Sequence, residues 1–168
     1  MWFRTTDQRI VYCVIMRLDI SPIGWVVGGR DEAFDDHWGS VTAAIELDAA
    51  RFSPEALAGL ADFSHLEVVY HFHLVSEAKV ETGARHPRNR PDWPLVGIFA
   101  QRGKNRPNRI GVSRCRLLGV AGLTVRVAEL DAIDGTPVLD IKPYMSEFGP
   151  RGEVAQPQWS RELMGEYY

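Results

Sequence analysis

Positive charge is concentrated in one part of this 168-residue chain. Between Arg85 and Arg116 there are nine Lys or Arg residues and one acid, Asp92, although the whole chain has a formal net charge of −3 at pH 7. Eight of the nine are arginine, whose planar guanidinium suits bidentate contacts with phosphate or carboxylate. Five of the cations stand in the stretch FAQRGKNRPNRIGVSRC, between two apolar runs. This segment favours an anionic ligand, and the alternative is a network that pairs it with the acidic remainder of the chain.

Acidic residues cluster in a second stretch, LDAIDGTPVLDIKPY, where Asp131, Asp134 and Asp140 lie within ten residues. Asp134-Gly135 is a favourable tight turn, so Asp134 could simply cap that turn. Alternatively, acids on turns at strand ends meet the arginines of the 102–109 loop. Acids and arginines at one barrel mouth would bind a ligand that carries both signs of charge. The residues alone leave the two interpretations open.

Other chemistry is weakly indicated. His71 and His73 share one face of a predicted strand, but no third metal ligand stands at a convincing spacing, so structural hydrogen bonds are favoured for His71. The chain has no glycine-rich dinucleotide fingerprint, no P-loop and no nucleophile elbow. Cysteine and histidine are not spaced as metal ligands either. We therefore expect no Rossmann cofactor site, no acyl-transfer triad and no metal.

Most of the chain has the pattern of short strands separated by turn residues. The segment 66–75 is the clearest, because Val68, Tyr70, Phe72 and Leu74 alternate with residues that face the other way. Further strands are predicted at 11–20, 22–28, 41–47, 95–100, 109–120, 123–130 and 138–145.

Helical signals are few. Ser53 as N-cap and Pro54 at the first helical position predict a short helix over 53–63, and 160–168 is a final short helix or tail. About seven short strands with one or two short helices predict a mainly β protein, a single small β-barrel. Residues 1–168 are expected to form one domain, since the chain shows no repeat and no obvious linker.

Composition is that of a soluble globular protein, with 45% hydrophobic and 24% charged residues. No apolar run is long enough to span a bilayer, and the N-terminus lacks the layout of a signal peptide. Cys13 and Cys115 both stand in apolar runs, as expected of reduced, buried thiols. These observations predict a cytoplasmic protein without a membrane segment.

Three blocks of the sequence resemble the signature blocks of the TrmO (TsaA-like) family. They are LADFSHLEVVYHFH, GIFAQRGKNRPNRIGVS and LDAIDGTPVLDIKPY, in the family's order and within about residues 22–144. Members of that family are β-barrel methyltransferases that use S-adenosylmethionine. Those characterised methylate N6 of threonylcarbamoyladenosine beside the anticodon of a tRNA, as homodimers with the cofactor near the subunit interface. The resemblance implies the same fold, cofactor, tRNA partner and homodimer here, with 145–168 as a tail outside the signature region.

The resemblance also implies site residues. Asp131 and His73 are the candidate catalytic residues, one of which would remove or orient the N6 proton. Arginine suits the carboxylate of the cofactor, and a carboxylate suits its ammonium or ribose hydroxyls. The implied cofactor-binding residues are His37, Trp38, His73, Leu74, Arg102, Val112, Leu130 and Asp131. The implied substrate-binding residues are Lys104, Arg106, Asn108, Arg109, Asp134, Lys142 and Tyr144.

The chain also departs from the family pattern at several of these positions. The departures are Asp36-His37-Trp38, Leu74, Gly103-Lys104 and Arg109. Added cations at 104 and 109 fit an RNA backbone. Three functions stay open: a tRNA methyltransferase, a methyltransferase of the same fold acting on another nucleotide or small molecule, and a non-catalytic RNA- or nucleotide-binding module.

Overall fold

The structure is a computed structural model that describes residues 18–168. Six strands form a closed antiparallel barrel in the spatial order 24–27, 42–47, 124–128, 110–121, 65–71 and 137–143, and the short strand 84–85 pairs only with 96–97. Closure pairs both edges of every barrel strand with a neighbour. The predicted mainly β barrel is therefore confirmed. The strands are β1 Gly24–Val27, β2 Thr42–Leu47, β3 His65–His71, β4 Ala84–Arg85, β5 Val96–Gly97, β6 Ile110–Ala121, β7 Thr124–Ala128 and β8 Pro137–Pro143, and the one α-helix in residues 18–168 is α1 Gln158–Leu163.

The barrel core follows from the alternation of side chains along each strand. In β3, Leu66, Val68 and Tyr70 are buried, whereas the residues between them are half-buried. Successive side chains on a strand point to opposite faces, so one face of β3 fills the barrel. Ile45 of β2 and Val127 of β7 are equally buried and belong to the same core cluster. Each such side chain contributes about 1.5–3 kcal/mol through burial.

Three loops meet at one end of the barrel, which we call the mouth. Antiparallel pairing brings the end of β3 beside the start of β6, where His71 is paired with Ile110. The loop before β8 joins the loop after β1 through the Asp134 N–H, which donates to the Arg30 carbonyl at 2.6 Å. Residues far apart in the chain therefore converge at the mouth. The three loops are residues 28–41, 72–109 and 129–136.

The predicted strand over 95–100 is wrong in most of its length. Only Val96–Gly97 is extended, and Ile98–Ala100 forms a turn of 3-10 helix. The Gln101 N–H donates to the Ile98 carbonyl at 3.2 Å, which closes that turn. Apolar content alone did not distinguish a strand from a buried turn.

The predicted helix over 53–63 is two 3-10 turns, Pro54–Leu57 and Leu60–Asp62. Gly59 separates them with a φ of 79°, a left-handed conformation that glycine adopts easily. Leu74 was predicted to share the buried face of β3, but the strand ends at His71. Leu74 is 68% exposed.

The remaining predicted strands agree with the structure within a few residues. The hairpin of β6 and β7 is formed, with Ala121 paired to Thr124. The first predicted strand, 11–20, lies mostly outside the described residues, as does Cys13. The predicted final helix begins two residues earlier than expected, at Gln158. None of the helices in residues 18–168 has the length and apolar character needed to cross a bilayer.

Candidate functional site

The mouth of the barrel opens into a cavity of about 1320 Å³. Its walls come from all three mouth loops and from residues 156–168, which pack against them. Small-molecule sites usually have volumes of about 300–1,000 Å³, so a nucleoside-sized ligand has ample room. Acidic, basic, histidine and tyrosine side chains from distant parts of the chain line this cavity.

Asp131 is held between two tyrosine hydroxyls at the edge of this cavity. The Tyr70 hydroxyl donates to Asp131 Oδ1 at 3.1 Å and to the Asp131 carbonyl at 2.9 Å. The Tyr167 hydroxyl donates to Asp131 Oδ2 at 2.5 Å. Burial first, and then the nearby Asp131 charge, raise the pKa of both tyrosines well above the ordinary value, so both hydroxyls stay protonated donors.

The loop that carries Trp38 is fixed by arginines. Arg88 makes a bidentate ion pair with the Asp36 carboxylate at 2.7 and 2.5 Å. The hydrogen bond to Asp36 raises the pKa of the Arg88 guanidinium. Arg30 donates to the Asp36 and His37 carbonyls and lies over the Trp38 ring, 4.2 Å from its centroid. Trp38 is thereby buried at the cavity wall, with 4% of its surface exposed.

The basic segment divides into paired and unpaired cations. Six of its nine members have a carboxylate within 4.0 Å, and these are Arg88, Arg90, Lys104, Arg109, Arg114 and Arg116. The other three, Arg85, Arg102 and Arg106, have no such partner among residues 18–168, and all three line the cavity. Pairing with acidic residues is thus confirmed for six of the nine cations, and an anionic ligand stays a prediction for the other three. The unpaired arginines make the cavity wall suitable for an anion.

Two buried donors are unsatisfied at the same cavity. Within residues 18–168, neither Trp38 Nε1 nor Arg85 Nε has a hydrogen-bond partner, and both side chains line the wall. Buried donors without partners are costly and uncommon in folded proteins. Both atoms have almost no accessible surface, so they lie behind the surface of the cavity wall.

Nine of the predicted site residues line the cavity. From the cofactor set they are Trp38, His73, Leu74, Arg102, Val112 and Asp131, and from the substrate set Lys104, Arg106 and Asn108. Arg102 also donates to the Val112 carbonyl at 2.6 Å, and this bond ties the basic loop to β6. The two candidate catalytic residues, Asp131 and His73, therefore share one cavity.

The other predicted residues are not in the cavity wall, although His37 and Leu130 adjoin it. His37 contributes its backbone to the loop, with a left-handed φ of 64°, and Leu130 is fully buried in the core. Asp134 accepts the Gly28 N–H at 2.7 Å, so its side chain bonds the loop after β1 and not its own Asp134-Gly135 turn. Arg109 donates to the Val75 carbonyl at 2.8 Å.

Lys142 and Tyr144 lie at the opposite end of the barrel from the mouth. Lys142 is ion-paired with Asp140, and Tyr144 packs under Arg114. Their substrate-binding role stays a prediction, as do the roles of Asp134 and Arg109.

Arg85 and Tyr167 are two of the wall residues that sequence reasoning did not assign to the site. Arg85 was counted in the basic segment but not assigned to a site. Tyr167 was placed in a tail, because nothing near it in the sequence indicates a partner 36 residues away. Only the fold brings its hydroxyl to Asp131.

The mouth of this closed β-barrel combines arginines that have no carboxylate partner among residues 18–168 with a carboxylate held by two tyrosines, an arrangement suited to a small polar ligand. Residues 36–149 match the family described as the tRNA-methyltransferase O N-terminal domain. The chain belongs to this family, and the resemblance seen in the sequence is confirmed.

Relatives and a solved structure agree with this assignment. A probable S-adenosyl-L-methionine-binding protein of Pyrococcus abyssi is 41% identical over 100 residues, 60% of this chain and 52% of that protein. The tRNA (adenine(37)-N6)-methyltransferase of Escherichia coli is 36% identical over 110 residues, 63% of this chain and 46% of that enzyme. A crystal structure of TrmO from Pseudomonas aeruginosa superimposes with a TM-score of 0.68 at 30% identity, covering 83% of this chain and 61% of that one. The match thus spans about half the length of these two relatives.

Proposed function

We propose that this protein is an S-adenosylmethionine-dependent methyltransferase that acts on adenine in tRNA, at N6 of threonylcarbamoyladenosine beside the anticodon. The observation that carries the proposal is the mouth cavity. Its wall contains Asp131, His73 and three arginines that have no carboxylate partner among residues 18–168. This cavity is built largely from the family-matched residues 36–149. Two relatives, an S-adenosylmethionine-binding protein and a tRNA adenine N6-methyltransferase, support the proposed cofactor and acceptor.

The cavity residues fit the chemical groups of the cofactor. Arg85 and Arg102 would hold the carboxylate of its methionine part, because arginine pairs with carboxylates through two parallel hydrogen bonds. Asp131 would accept a hydrogen bond from the ammonium or a ribose hydroxyl.

Asp131 and His73 have different roles in the proposed methyl transfer. When bound, S-adenosylmethionine supplies a methyl group on a positively charged sulfur. Asp131 already accepts a tyrosine hydroxyl on each of its two oxygens, which fixes the plane of its carboxylate, so we assign it to binding and orientation. His73 lines the same cavity without those contacts and is the candidate that takes the N6 proton. Orientation of the two reactants supplies much of the rate in such a displacement.

The rim of the cavity suits a single-stranded nucleic acid. Lys104 and Arg106 stand in its wall, and cations that neutralise phosphates provide affinity for RNA. Phe34 and Phe99, also in the wall, are 62% and 79% exposed. Exposed aromatic rings beside cations are the usual platform for an unstacked base. Homodimeric assembly and a cytoplasmic location remain predictions from the resemblance and the sequence.

Calorimetric titration with S-adenosylmethionine and with S-adenosylhomocysteine tests the cofactor site. We expect micromolar binding of both, weakened about tenfold or more in Asp131→Asn and unchanged in Asp92→Asn, an acid that is 71% exposed and outside the cavity. Failure of the folded protein to bind either ligand would contradict the proposal and favour a non-catalytic binding module.

Transfer of a radiolabelled methyl group tests the acceptor. We expect incorporation into tRNA that carries threonylcarbamoyladenosine and none into the same tRNA without that modification. In His73→Gln we expect turnover to fall by about 10²–10⁴-fold with the cofactor affinity preserved, as for loss of a general base. Cofactor binding without methylation of any tRNA would mean that the protein methylates another nucleotide or a small molecule.

A further inference from the structure

Residues 156–168 are joined to the loop that carries Trp38 by backbone hydrogen bonds. The His37 N–H donates to the Glu166 carbonyl at 2.8 Å, and the Trp38 N–H donates to the Tyr167 carbonyl at 2.7 Å. These two bonds satisfy the backbone of a loop that has no strand partner of its own at this point. The position of the segment is therefore coupled to that of the predicted cofactor loop.

Side chains anchor the same segment elsewhere. The Trp93 indole N–H donates to Glu162 Oε2 at 2.9 Å, and the Trp93 ring is 5% exposed. At Gly39 the backbones of the loop 28–41 and of residues 156–168 approach closely, since a Cβ there would lie 2.7 Å from the backbone carbonyl carbon of Tyr168. Only a residue without a side chain permits this contact.

The Tyr167 hydroxyl reaches the Asp131 carboxylate as a result of this docking. A carboxylate has about four acceptor positions, and Tyr70 and Tyr167 occupy one on each oxygen. Two positions remain for a ligand. Fixing both oxygens also holds the carboxyl plane in one orientation before any ligand arrives.

The segment lines the cavity rather than filling it. Trp159, Leu163, Met164 and Tyr167 all contribute to the wall, and about 1320 Å³ is still open with the segment in place. That volume exceeds what a nucleoside-sized ligand needs. The segment therefore need not leave for the cavity to be occupied.

From this geometry we propose that residues 156–168 are a fixed wall of the cofactor site and that Tyr167 is a positioning residue that orients Asp131 toward the cofactor. The proposal rests on the cofactor site proposed above. It adds a residue outside the family-matched range 36–149 to the binding machinery.

A double-mutant cycle measures the link between Tyr167 and Asp131. By calorimetry, we expect Tyr167→Phe to weaken S-adenosylmethionine binding about tenfold in the otherwise native chain, as for loss of a hydrogen bond to a charged group. In the Asp131→Asn background the same change should cost less than about twofold, because the charged acceptor is gone. A structural role elsewhere would give equal losses in both backgrounds and would overturn the proposal.

Two measurements separate this proposal from the cofactor site itself. Ser64→Ala is the control, because it removes an exposed hydroxyl bonded to His65 Nδ1 at the opposite end of the barrel, and we expect a change below about twofold. In the protein without ligand, hydrogen exchange should show the His37 and Trp38 amides protected in both variants. If the native chain binds no cofactor, the proposed site fails; if it binds and Tyr167→Phe binds equally well, only the positioning role fails.

Displacing the segment tests the wall directly. Gly39→Ala should push residues 156–168 outward, expose the Trp38 amide to exchange and weaken S-adenosylmethionine binding at least fivefold. Gly83→Ala is the control, because a Cβ there meets no atom within 4 Å. Tighter binding in Gly39→Ala would mean that the segment is an obstructing plug and would overturn the proposal.

Discussion

At the scale of single residues, the arginines of 85–116 differ in whether an acid lies beside them. Arg114 and Arg116 pair with Glu67 and Glu129 on the outer surface of the barrel, at 3.0 and 3.2 Å. Such exposed pairs contribute about 0–1 kcal/mol each. Arg85 lines the cavity, is half-buried and has no carboxylate within 4.0 Å among residues 18–168, so it has more to gain from an anion.

Arg85→Gln is therefore expected to weaken S-adenosylmethionine binding about tenfold. The matched control, Arg114→Gln, should change it less than about twofold, because its partner Glu67 lies outside the cavity. The loss should disappear with methylthioadenosine, which lacks the amino-acid carboxylate. Calorimetry with both ligands checks this, and an equal loss for both would assign Arg85 to another group of the cofactor.

Cys115 gives a second prediction at this scale. Burial, followed by the charges of Asp131 and Glu129, raises the pKa of its thiol to about 12. At pH 8 only about one part in ten thousand is then thiolate, the reactive form. We expect iodoacetamide to leave Cys115 unmodified in the native protein and to modify it quickly in denaturant, as measured by peptide mass spectrometry. Rapid native modification would contradict this burial.

At the scale of elements, the mouth loops are held by contacts between loops rather than by regular structure. The loop 28–41 contains no helix or strand, yet Arg88 and Arg30 fix its central residues. Lys104, in the basic loop, pairs with Asp35 at 2.8 Å. Loops that are cross-braced in this way keep the site in place without covering its opening.

Arg88→Gln should destabilise the protein by about 1–2 kcal/mol, because it breaks a bidentate, half-buried ion pair. It should also weaken cofactor binding, since the released loop carries Trp38. Arg90→Gln is the control: its pair with Asp92 is more than half exposed, so we expect less than about 0.5 kcal/mol. Denaturant titration of the three proteins checks this, and equal losses in the two variants would be evidence against cross-bracing.

At the scale of the whole molecule, Tyr70 belongs to both the core of the barrel and the site. Tyr70 is buried in the core cluster and has its ring edge against Phe72, while its hydroxyl holds Asp131. Gly111 on β6 gives the ring its space, since a Cβ there would lie 2.4 Å from two ring carbons. Packing of the barrel therefore decides where Asp131 stands.

Gly111→Ala is expected to destabilise the protein by about 1–3 kcal/mol or more, because the ring has no room to move in a closed barrel. Gly119→Ala, on the same strand, should be neutral or slightly stabilising, since a Cβ there meets nothing within 4 Å. Urea midpoints measure both. Comparable stability of the two variants would mean that the barrel accommodates the methyl group by shifting Tyr70.

Local patterns were enough to predict the barrel strands and the two charged stretches. The alternation in 66–75 identified the core face of β3, because side-chain direction on a strand depends only on its immediate neighbours. The resemblance of short blocks to a known family then indicated Asp131, His73 and Arg102 as site residues. Leu74 was misjudged, because a turn after His71 ends the alternation.

The tertiary structure alone decided which charges pair and which remain available to a ligand. Arg88 meets Asp36 across 52 positions and Lys104 meets Asp35 across 69, so no local pattern predicts either pair. Tyr167 reaches Asp131 only because residues 156–168 pack across the mouth. These contacts depend on the closure of the barrel, which brings distant loops to one end, and this long-range geometry is not encoded in any single stretch of sequence.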